Sequence, residues 1–483
     1  MSVSPNRLES ARLPESFDDR RLPVMQSAET TLPVSYNHQL YPFAEQARSA
    51  AKMGDMMVQG WANMGLAMLD GSRALGVPTA FTEGSRRLIN ALTTSSERSA
   101  RDYQKPEFGL TDTLIDGRKI SVHEEVVARQ DHAFGRLLHF ERETDRHDPP
   151  VLIVAPLSGH YATLIRDTVR QLLPHHNVYI TDWKNARDVP LDEGDFGLDD
   201  YIEYVQGFIQ KLGPDCNVLA ICQSTVPVLA AIADLARQDP GSQPNSMTLM
   251  AGPLDTRIAP TAVNDFANKP EHTMQWFRDN VMAKVPAGYP GAGRLVYPGF
   301  MQLASFLGMN LDQHTNKQMD LFRHVARGND AEADKIKTFY DEYLAVLDLD
   351  GPFYLETVEK VFKSQQLADG TLEYHGRPIR VAAITKTALM TVEGAKDDIC
   401  APGQAIVAHG WLTGLEPRQK KHYLQADAGH FGVFSGRKWQ EQIAPRFAHF
   451  IREAAFGQGQ IYDSIPAETS VIEPALWSPQ ATL

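Results

Sequence analysis

Short apolar runs alternate with amphipathic helical runs between residues 150 and 250, and this alternation restricts the fold more than any other feature. The apolar runs are VLIVAP, NVYITDW, NVLAI and SMTLMAG, and the intervening stretches include DDYIEYVQGFIQKLG and STVPVLAAIADLARQ. Strands that are apolar on both faces and separated by helices form a parallel sheet covered on both sides. Before them, KISVHEEVVAR and GRLLHFER predict an antiparallel hairpin or meander.

The alternation stops after Asp255, where a long helical and aromatic stretch begins, and it returns at ALMTVEGAKDDIC and KKHYLQADAGHFGVF. This order predicts an α/β-hydrolase fold, with a mostly parallel sheet and a helical lid inserted before the last two strands. The predicted boundaries are a flexible tail at 1–35, an N-terminal helical extension at 36–105, the first part of the core at 106–255, the lid at 256–370, the second part of the core at 371–457 and a loosely ordered tail at 458–483.

Composition excludes several classes of protein. The formal net charge of −13 argues against nucleic-acid binding, which requires a basic surface. No apolar run approaches the ~18 residues that a transmembrane helix needs, and the polar N-terminus lacks the apolar centre of a signal peptide. The three cysteines have no spacing typical of a disulfide framework or a zinc site. We therefore expect a cytoplasmic protein without a transmembrane segment.

The N-terminal extension contains a stripe of large apolar residues at helical spacing, formed by Met53, Met57, Trp61, Met64 and Met68. We expect this stripe to pack on the main domain. The alternative is an adaptable methionine-rich surface for a partner or an apolar polymer, because methionine side chains conform to irregular surfaces.

Three chemically useful residues follow three predicted strands. Cys222 follows NVLAI, Asp397 follows LMTVEG, and His430 follows HYLQADAG. The carboxyl ends of parallel strands meet at one edge of a sheet, and the order nucleophile, acid, histidine is that of α/β-hydrolases. A thiol at a helix N-terminus has a lowered pKa, a histidine can act as base and then acid, and an aspartate can orient the histidine. The sequence thus predicts a Cys-His-Asp catalytic triad.

An oxyanion hole is expected from backbone N–H groups. One donor would be Gln223, directly after the nucleophile, and the second would come from the PLSGH loop, at Leu157 or Ser158.

Other interpretations of these residues stay open at the level of sequence. A cysteine in a turn of small residues is often a packing residue, and Asp397 could cap a helix. Ser224 is a less favoured nucleophile, because it lies in the first turn of the helix. Cys216 begins its strand at the opposite end of the sheet and is expected to be structural. Cys400 lies three residues after Asp397, near the predicted site, with no base assigned to it.

From about residue 108 to 447 the chain resembles the intracellular poly(3-hydroxybutyrate) depolymerases. The resemblance lies in long collinear stretches, among them LIVAPLSGHYATLIRDTV, VYITDWKNARDVPLDEGDFGLDDYIEYV, AICQSTVPVLAA, MTLMAGPLDTRIAPTAVN, FYDEYLAVLDLDGPFYLETVEKVF and GHFGVFSG. It implies that Cys222, Asp397 and His430 cleave the ester bonds of stored polymer. Two departures stand out: Ser224 occupies a position where the family usually has proline, and Cys400 replaces a smaller polar residue.

This resemblance implies a thioester intermediate, release of 3-hydroxybutyrate monomers or oligomers, and no cofactor or metal. Its partner would be the polyhydroxyalkanoate granule surface, with coenzyme A as an alternative acyl acceptor. An apolar groove is expected in the lid, with substrate contacts from His160, Trp276, Phe300 and Phe306. The competing functions are a polyhydroxyalkanoate synthase or a coenzyme A-dependent thiolytic depolymerase on the same fold, and a granule-associated protein of low turnover.

Overall fold

The computed structural model describes residues 40–74, 79–309 and 311–457. The two predicted tails, at 1–35 and 458–483, lie outside the described residues. The main sheet has nine strands in the order β1-β2-β3-β5-β4-β6-β7-β13-β14. These strands are β1 Asp112–Ile115, β2 Arg118–Asp131, β3 Gly135–Arg142, β4 Pro150–Val154, β5 Asn177–Trp183, β6 Asn217–Ile221, β7 Ser246–Met250, β13 Ala388–Gly394 and β14 Lys420–Gln425.

The sheet is parallel from β5 to β14 and antiparallel at its other edge, where β1, β2 and β3 form the predicted meander. Every residue of β6, β7 and β13 is buried, so both faces of the sheet are covered. This arrangement is the α/β-hydrolase fold and confirms the predicted fold class. The helices of this part are α3 Arg166–Leu172, α4 Leu198–Leu212, α5 Thr225–Gln238, α12 Ala408–Trp411, α13 Gly436–Lys438 and α14 Ala444–Gly457.

Between β7 and β13 the chain forms the lid, which contains short strands as well as the predicted helices. Its helices are α6 Ala262–Asn268, α7 Met274–Asn280, α8 Gly299–Met309, α9 Leu311–Arg327, α10 Asp330–Tyr343 and α11 Gly351–Thr357. Its strands are β8 Ala283–Lys284, β9 Leu295–Tyr297 and β10 Leu349–Asp350, which form an antiparallel sheet, and the pair β11 Glu373–Tyr374 and β12 Arg377–Pro378. Strands of two or three residues are too short to show an alternating pattern, so the sequence did not predict them.

A buried arginine of the lid connects its small sheet to the core. Arg294 Nη1 lies 2.8 Å from Asp350 Oδ2, and both side chains are about 1% exposed. The same guanidinium donates to the carbonyl oxygens of Pro190 and Gly194, which belong to the loop after β5. The guanidinium is therefore satisfied by several acceptors, as a buried charge requires.

The N-terminal extension consists of α1 Leu40–Ala74 and α2 Thr79–Ala100, which pack against each other and, through α2, against α9. Small residues form the contact between α1 and α2, because Ala62 is buried and a Cβ on Gly65 would lie 3.2 Å from Ile89 Cδ1. The methionine stripe faces away from this contact, with Trp61 73% and Met68 72% exposed. The expectation that the stripe packs on the main domain is therefore wrong. Among the described residues, no helix is both long and apolar enough to span a membrane.

Candidate active site

Cys222 occupies a strained turn directly after β6. Its φ is +57°, in the left-handed region that residues other than glycine rarely adopt, and a 3₁₀ turn from Cys222 to Ser224 leads into α5. A left-handed residue at this position costs about 1–3 kcal/mol and persists only where its surroundings enforce it. Here Thr225 Oγ1 donates to the Cys222 carbonyl oxygen over 2.8 Å. The turn presents the sulfur at the N-terminus of α5, as in a nucleophile elbow.

Ser224, the alternative nucleophile considered from sequence, points into the core instead. Its side chain is fully buried, its Oγ accepts the Ile221 N–H over 2.8 Å, and it lies 2.8 Å from the Val154 carbonyl oxygen. The hydroxyl therefore ties the end of β6 to β4, and its contacts are those of a structural residue.

His430 and Asp397 meet next to Cys222. Asp397 follows β13, His430 follows β14, and His430 Nδ1 lies 2.8 Å from Asp397 Oδ2, with both side chains almost fully buried. This bond leaves the other ring nitrogen, Nε2, to face the sulfur of Cys222. The structure thus brings together the three residues that the strand ends predicted.

Cys400 completes this cluster. The sulfur atoms of Cys222 and Cys400 and a ring nitrogen of His430 all lie within 4.8 Å of one another. Cys400 is held there by its backbone N–H, which donates to Asp397 Oδ1 over 2.8 Å, beside a similar bond from Ile399. The sequence placed Cys400 near the site, but only the folded loop shows that it touches the candidate nucleophile.

The cluster favours an ionised Cys222. A hydrogen bond from Cys400 and the adjacent His430 lower the pKa of the Cys222 thiol to about 5, although burial alone would raise it. Burial alone would likewise lower the pKa of His430, but the Cys222 thiolate and Asp397 raise it well above its ordinary value. The favoured state at neutral pH is a thiolate–imidazolium pair. The Cys216 thiol contrasts with the Cys222 thiol, because burial raises the pKa of Cys216 to about 12.

Two of the three residues predicted for the oxyanion hole border the site. Gln223 and Ser158 line the cavity above Cys222, whereas the side chain of Leu157 is buried in the core. The backbone N–H of Gln223 is the second of its 3₁₀ turn, a position without an acceptor inside the turn. It is thus available to an oxygen bound next to the sulfur.

The cavity has a volume of about 500 Å³ and lies between the strand ends and the lid. This size is ordinary for a ligand-binding pocket. Its walls are mostly aromatic and aliphatic side chains of the lid, with Cys222, Cys400 and His430 at its base. The main aromatic lining residues are Phe266, Phe277, Tyr297, Phe306, Tyr354, Phe362, Phe431 and Phe434.

Of the four residues predicted to contact substrate, His160 and Phe306 line the cavity and Trp276 and Phe300 do not. Trp276 stacks on His272, with ring centroids 3.9 Å apart, and Phe300 packs edge-on against Tyr41 at 5.4 Å. These two rings are used in packing within the lid and against α1. Helical spacing alone could not show which face of each lid helix meets the cavity.

Residues 251–455 match the family model described as PHB de-polymerase C-terminus. Through these residues the chain is similar to the PHB depolymerase family. It is accordingly a carboxylic ester hydrolase. Asp397, Cys400 and His430 lie inside the matched region, and Cys222 precedes it. Among curated proteins, no match to this sequence was found.

Solved structures similar to this chain include a putative lipase from Acinetobacter baumannii AYE, which has 12% identity and TM-score 0.37 and covers 69% of this chain and 93% of that chain. A putative aryl esterase from Burkholderia cenocepacia has 11% identity and TM-score 0.39, and the match covers 69% of this chain and 100% of that chain. A thermophilic esterase from Thermogutta terrifontis has 13% identity and TM-score 0.36, and the match covers 71% of this chain and 97% of that chain. Because these TM-scores are below 0.5, the fold assignment rests on the strand order of the chain itself.

His160 connects the core to the lid. Its Nε2 lies 3.1 Å from the Tyr343 carbonyl oxygen, and its ring packs against Phe306 at 5.3 Å. Burial lowers the pKa of His160 to about 4, so the ring is neutral at physiological pH. It therefore offers a neutral polar surface to the cavity and is separate from His430.

Gln302, on α8 of the lid, is a site residue that sequence analysis missed. Its side chain is 7% exposed, lines the cavity, and has an Oε1 without a hydrogen-bond partner in the described structure. It packs on Gly159, whose φ is +102° and where a Cβ would lie 2.2 Å from Gln302 Oε1. A glutamine in the otherwise mostly apolar run GFMQLASF was the available signal.

The sulfur, sulfur and nitrogen atoms of Cys222, Cys400 and His430 are also a donor set that thiophilic metal ions prefer. An ion bound there would occupy the candidate nucleophile. The arrangement would therefore suit an inhibitory ion and not one that assists ester cleavage.

Proposed function

We propose that this PHB depolymerase hydrolyses the ester bonds of stored polyhydroxyalkanoate through Cys222, His430 and Asp397, with an acyl-thioester intermediate. One observation carries the proposal: the Cys222 sulfur, on a left-handed turn, faces the His430–Asp397 pair at the base of an apolar cavity. An apolar cavity suits a polyester chain, which has repeated ester groups but no charge.

In the first step, the Cys222 thiolate attacks the carbonyl carbon of a 3-hydroxyalkanoate ester. The oxyanion that forms would accept hydrogen bonds from the Gln223 N–H and from the N–H of Leu157 or Ser158. The tetrahedral intermediate then expels the alkoxide of the departing chain, and the His430 imidazolium protonates that oxygen. Asp397 keeps Nδ1 protonated throughout, so that Nε2 carries the transferred proton.

In the second step, neutral His430 removes a proton from water, and the resulting hydroxide attacks the thioester. Collapse of this intermediate releases the acid and returns Cys222 as a thiolate beside the His430 imidazolium. The products are 3-hydroxybutyrate monomers or oligomers. The stability of the ion pair means that the thiolate is a good leaving group from the thioester.

The decisive experiment compares Cys222→Ala with Cys216→Ala on amorphous polymer. Cys222→Ala should lower the release of 3-hydroxybutyrate by about 10³-fold or more, as expected for loss of a nucleophile. Cys216→Ala changes a buried cysteine at the other end of the same strand and should keep the activity. Acid-quenched wild-type enzyme should carry a hydroxyacyl group on the peptide that contains residue 222. Full activity of Cys222→Ala would refute the proposal.

We propose water as the acyl acceptor, and an assay with coenzyme A separates this from the alternatives. Added coenzyme A should change neither the rate nor the free-acid product. Formation of 3-hydroxybutyryl-CoA would instead identify a thiolytic depolymerase. Synthesis of polymer from 3-hydroxybutyryl-CoA would identify a synthase.

We further propose that the enzyme works in the cytoplasm on the granule surface and that α1 contacts the polymer. The exposed face of α1 supports this idea, because Met57, Trp61 and Met64 are 63%, 73% and 56% exposed. Isolated apolar residues are normal on a protein surface, but a continuous stripe of this size is typical of an interaction surface.

A further inference from the structure

Cys400 has no chemical step in the proposed mechanism, yet it lies against the nucleophile. We propose that Cys222 and Cys400 form a reversible disulfide when a hydroperoxide enters the cavity, and that this modification protects the nucleophile from irreversible oxidation. The expected loss of activity rests on the proposed catalytic role of Cys222, whereas formation of the Cys222–Cys400 disulfide does not.

The geometry places the two sulfur atoms within reach of each other. They lie within 4.8 Å, in a cluster with His430, and a disulfide requires about 2.05 Å between sulfurs. The backbone of Cys400 is fixed by Asp397, so the thiol is presented to Cys222 and not to solvent. Both cysteines also line the cavity, which a small hydroperoxide can enter.

The two thiols differ in reactivity, as a sensing cysteine and a resolving cysteine do. Cys222 is the more acidic thiol, because the Cys400 hydrogen bond and His430 favour its thiolate. The pKa of Cys400 is raised well above its ordinary value, first by its hydrogen bond to Cys222 and by burial. Cys216 is buried in the core away from the cavity, so it serves as an internal reference.

Two balanced steps form the bond. First, the Cys222 thiolate attacks a peroxide oxygen, the O–O bond breaks, and the alkoxide or hydroxide takes a proton from His430. Cys222 becomes a sulfenic acid, oxidised by two electrons, and the peroxide is reduced by two. Second, Cys400 gives its proton to the leaving hydroxyl group, its sulfur attacks Cys222, the S–O bond breaks, and water leaves.

The sulfenic acid on Cys222 gives Cys400 an electrophilic sulfur to attack. Without a neighbouring thiol, further peroxide would convert the sulfenic acid to a sulfinic acid, which dithiols do not reduce. The disulfide, in contrast, is reduced by an external dithiol with two electrons and two protons.

The test treats the full-length chain with hydrogen peroxide in the presence of a metal chelator, then maps its peptides without reduction. We expect a cross-linked pair of peptides containing residues 222 and 400, at least a tenfold loss of activity, and recovery with dithiothreitol. Cys216→Ala should behave like the wild type. In Cys400→Ala and in Cys400→Ser, the activity lost to peroxide should not return with dithiothreitol. Each variant is compared with its own activity before treatment.

Several outcomes would overturn the inference. Absence of the 222–400 cross-link in the oxidised wild type would do so, and so would full dithiothreitol recovery of both Cys400 variants. A parallel sample is treated without the chelator, and inactivation seen only in that sample would show an effect of metal ions in place of a disulfide. A cross-link without loss of activity would support the modification site and would contradict the catalytic role of Cys222, so the two proposals fail separately.

Discussion

The backbone N–H of Cys400 donates to Asp397 Oδ1 over 2.8 Å, on the opposite side of the carboxylate from the base. The other oxygen, Oδ2, lies 2.8 Å from His430 Nδ1. One carboxylate therefore positions both the histidine and the second thiol. Because the group is buried, its orientation is fixed by these bonds and not by solvent.

Asp397→Asn should lower kcat by about 10³–10⁴-fold, because the amide cannot stabilise the imidazolium of His430 and favours the wrong tautomer. The steady-state rate on amorphous polymer measures this effect. Asp398→Asn, which changes the neighbouring exposed carboxylate, is the matched control and should stay within about twofold. Equal losses in the two variants would contradict the assignment of Asp397.

The pH dependence of kcat/KM should report the pKa of Cys222. In the proposed mechanism activity requires the thiolate, so activity should be lost as the pH falls through a pKa of about 5. Cys400→Ala removes the main hydrogen bond that lowers this pKa, so the acid limb should move to higher pH. Cys400→Ser, which keeps a donor, should shift it less. An acid limb that is identical in all three proteins would show that Cys400 does not tune Cys222.

Gly159→Ala should destabilise the protein by about 1–3 kcal/mol and reduce activity, because the φ of +102° disfavours a side chain and the new Cβ would meet Gln302. Unfolding in urea measures the first effect. The double variant Gly159→Ala/Gln302→Ala should recover part of the stability, since it removes the clash but not the backbone strain. Gly410→Ala, at a helical site with open space, is the control. No recovery in the double variant would exclude the Gln302 contact as the cause.

Glu393 supports the loop that follows Asp397. Its buried carboxylate accepts the N–H groups of Gly403, Ala405 and Ile406 at 3.0, 2.7 and 3.1 Å. Glu393→Ala should lower the free energy of unfolding by about 3 kcal/mol or more, because three backbone donors, one buried and two half-buried, lose a charged acceptor. Glu393→Gln should cost less, and Glu141→Ala, at an exposed position of β3, should change little. A urea midpoint for Glu393→Ala equal to that of the wild type would contradict this role.

Binding to granules should depend on the exposed face of α1. Replacing Met57 and Trp61 with glutamine should reduce co-sedimentation with amorphous polymer severalfold, while cleavage of a soluble short ester stays unchanged. Leu114→Gln is the matched control, because Leu114 is 62% exposed on β1. Undiminished co-sedimentation of the double variant would show that the enzyme reaches the polymer through another surface.

The sequence predicted the fold and the proximity of Cys222, Asp397 and His430, because apolar strands and their order determine which strand ends meet. It did not predict the contact between Cys222 and Cys400. That contact depends on the turn closed by the Asp397 side chain, and no local pattern encodes a single loop conformation.

The errors have physical causes as well. The methionine stripe has the periodicity of a buried face, but hydrophobic spacing does not say whether a partner covers that face. Small residues, Ala62 and Gly65, form the actual packing contact. Similarly, Trp276 and Phe300 are large and aromatic, yet each packs on another ring and not in the cavity.

The hydroxyl of Ser224 has a consequence for which substitutions this chain could accept in evolution. Its bonds join the ends of two neighbouring strands beneath the turn. A proline at this position would stiffen the same turn covalently through its ring. Alanine would supply neither constraint. Natural variants at position 224 should therefore exchange serine and proline without passing through alanine, although alanine is the smaller change in size.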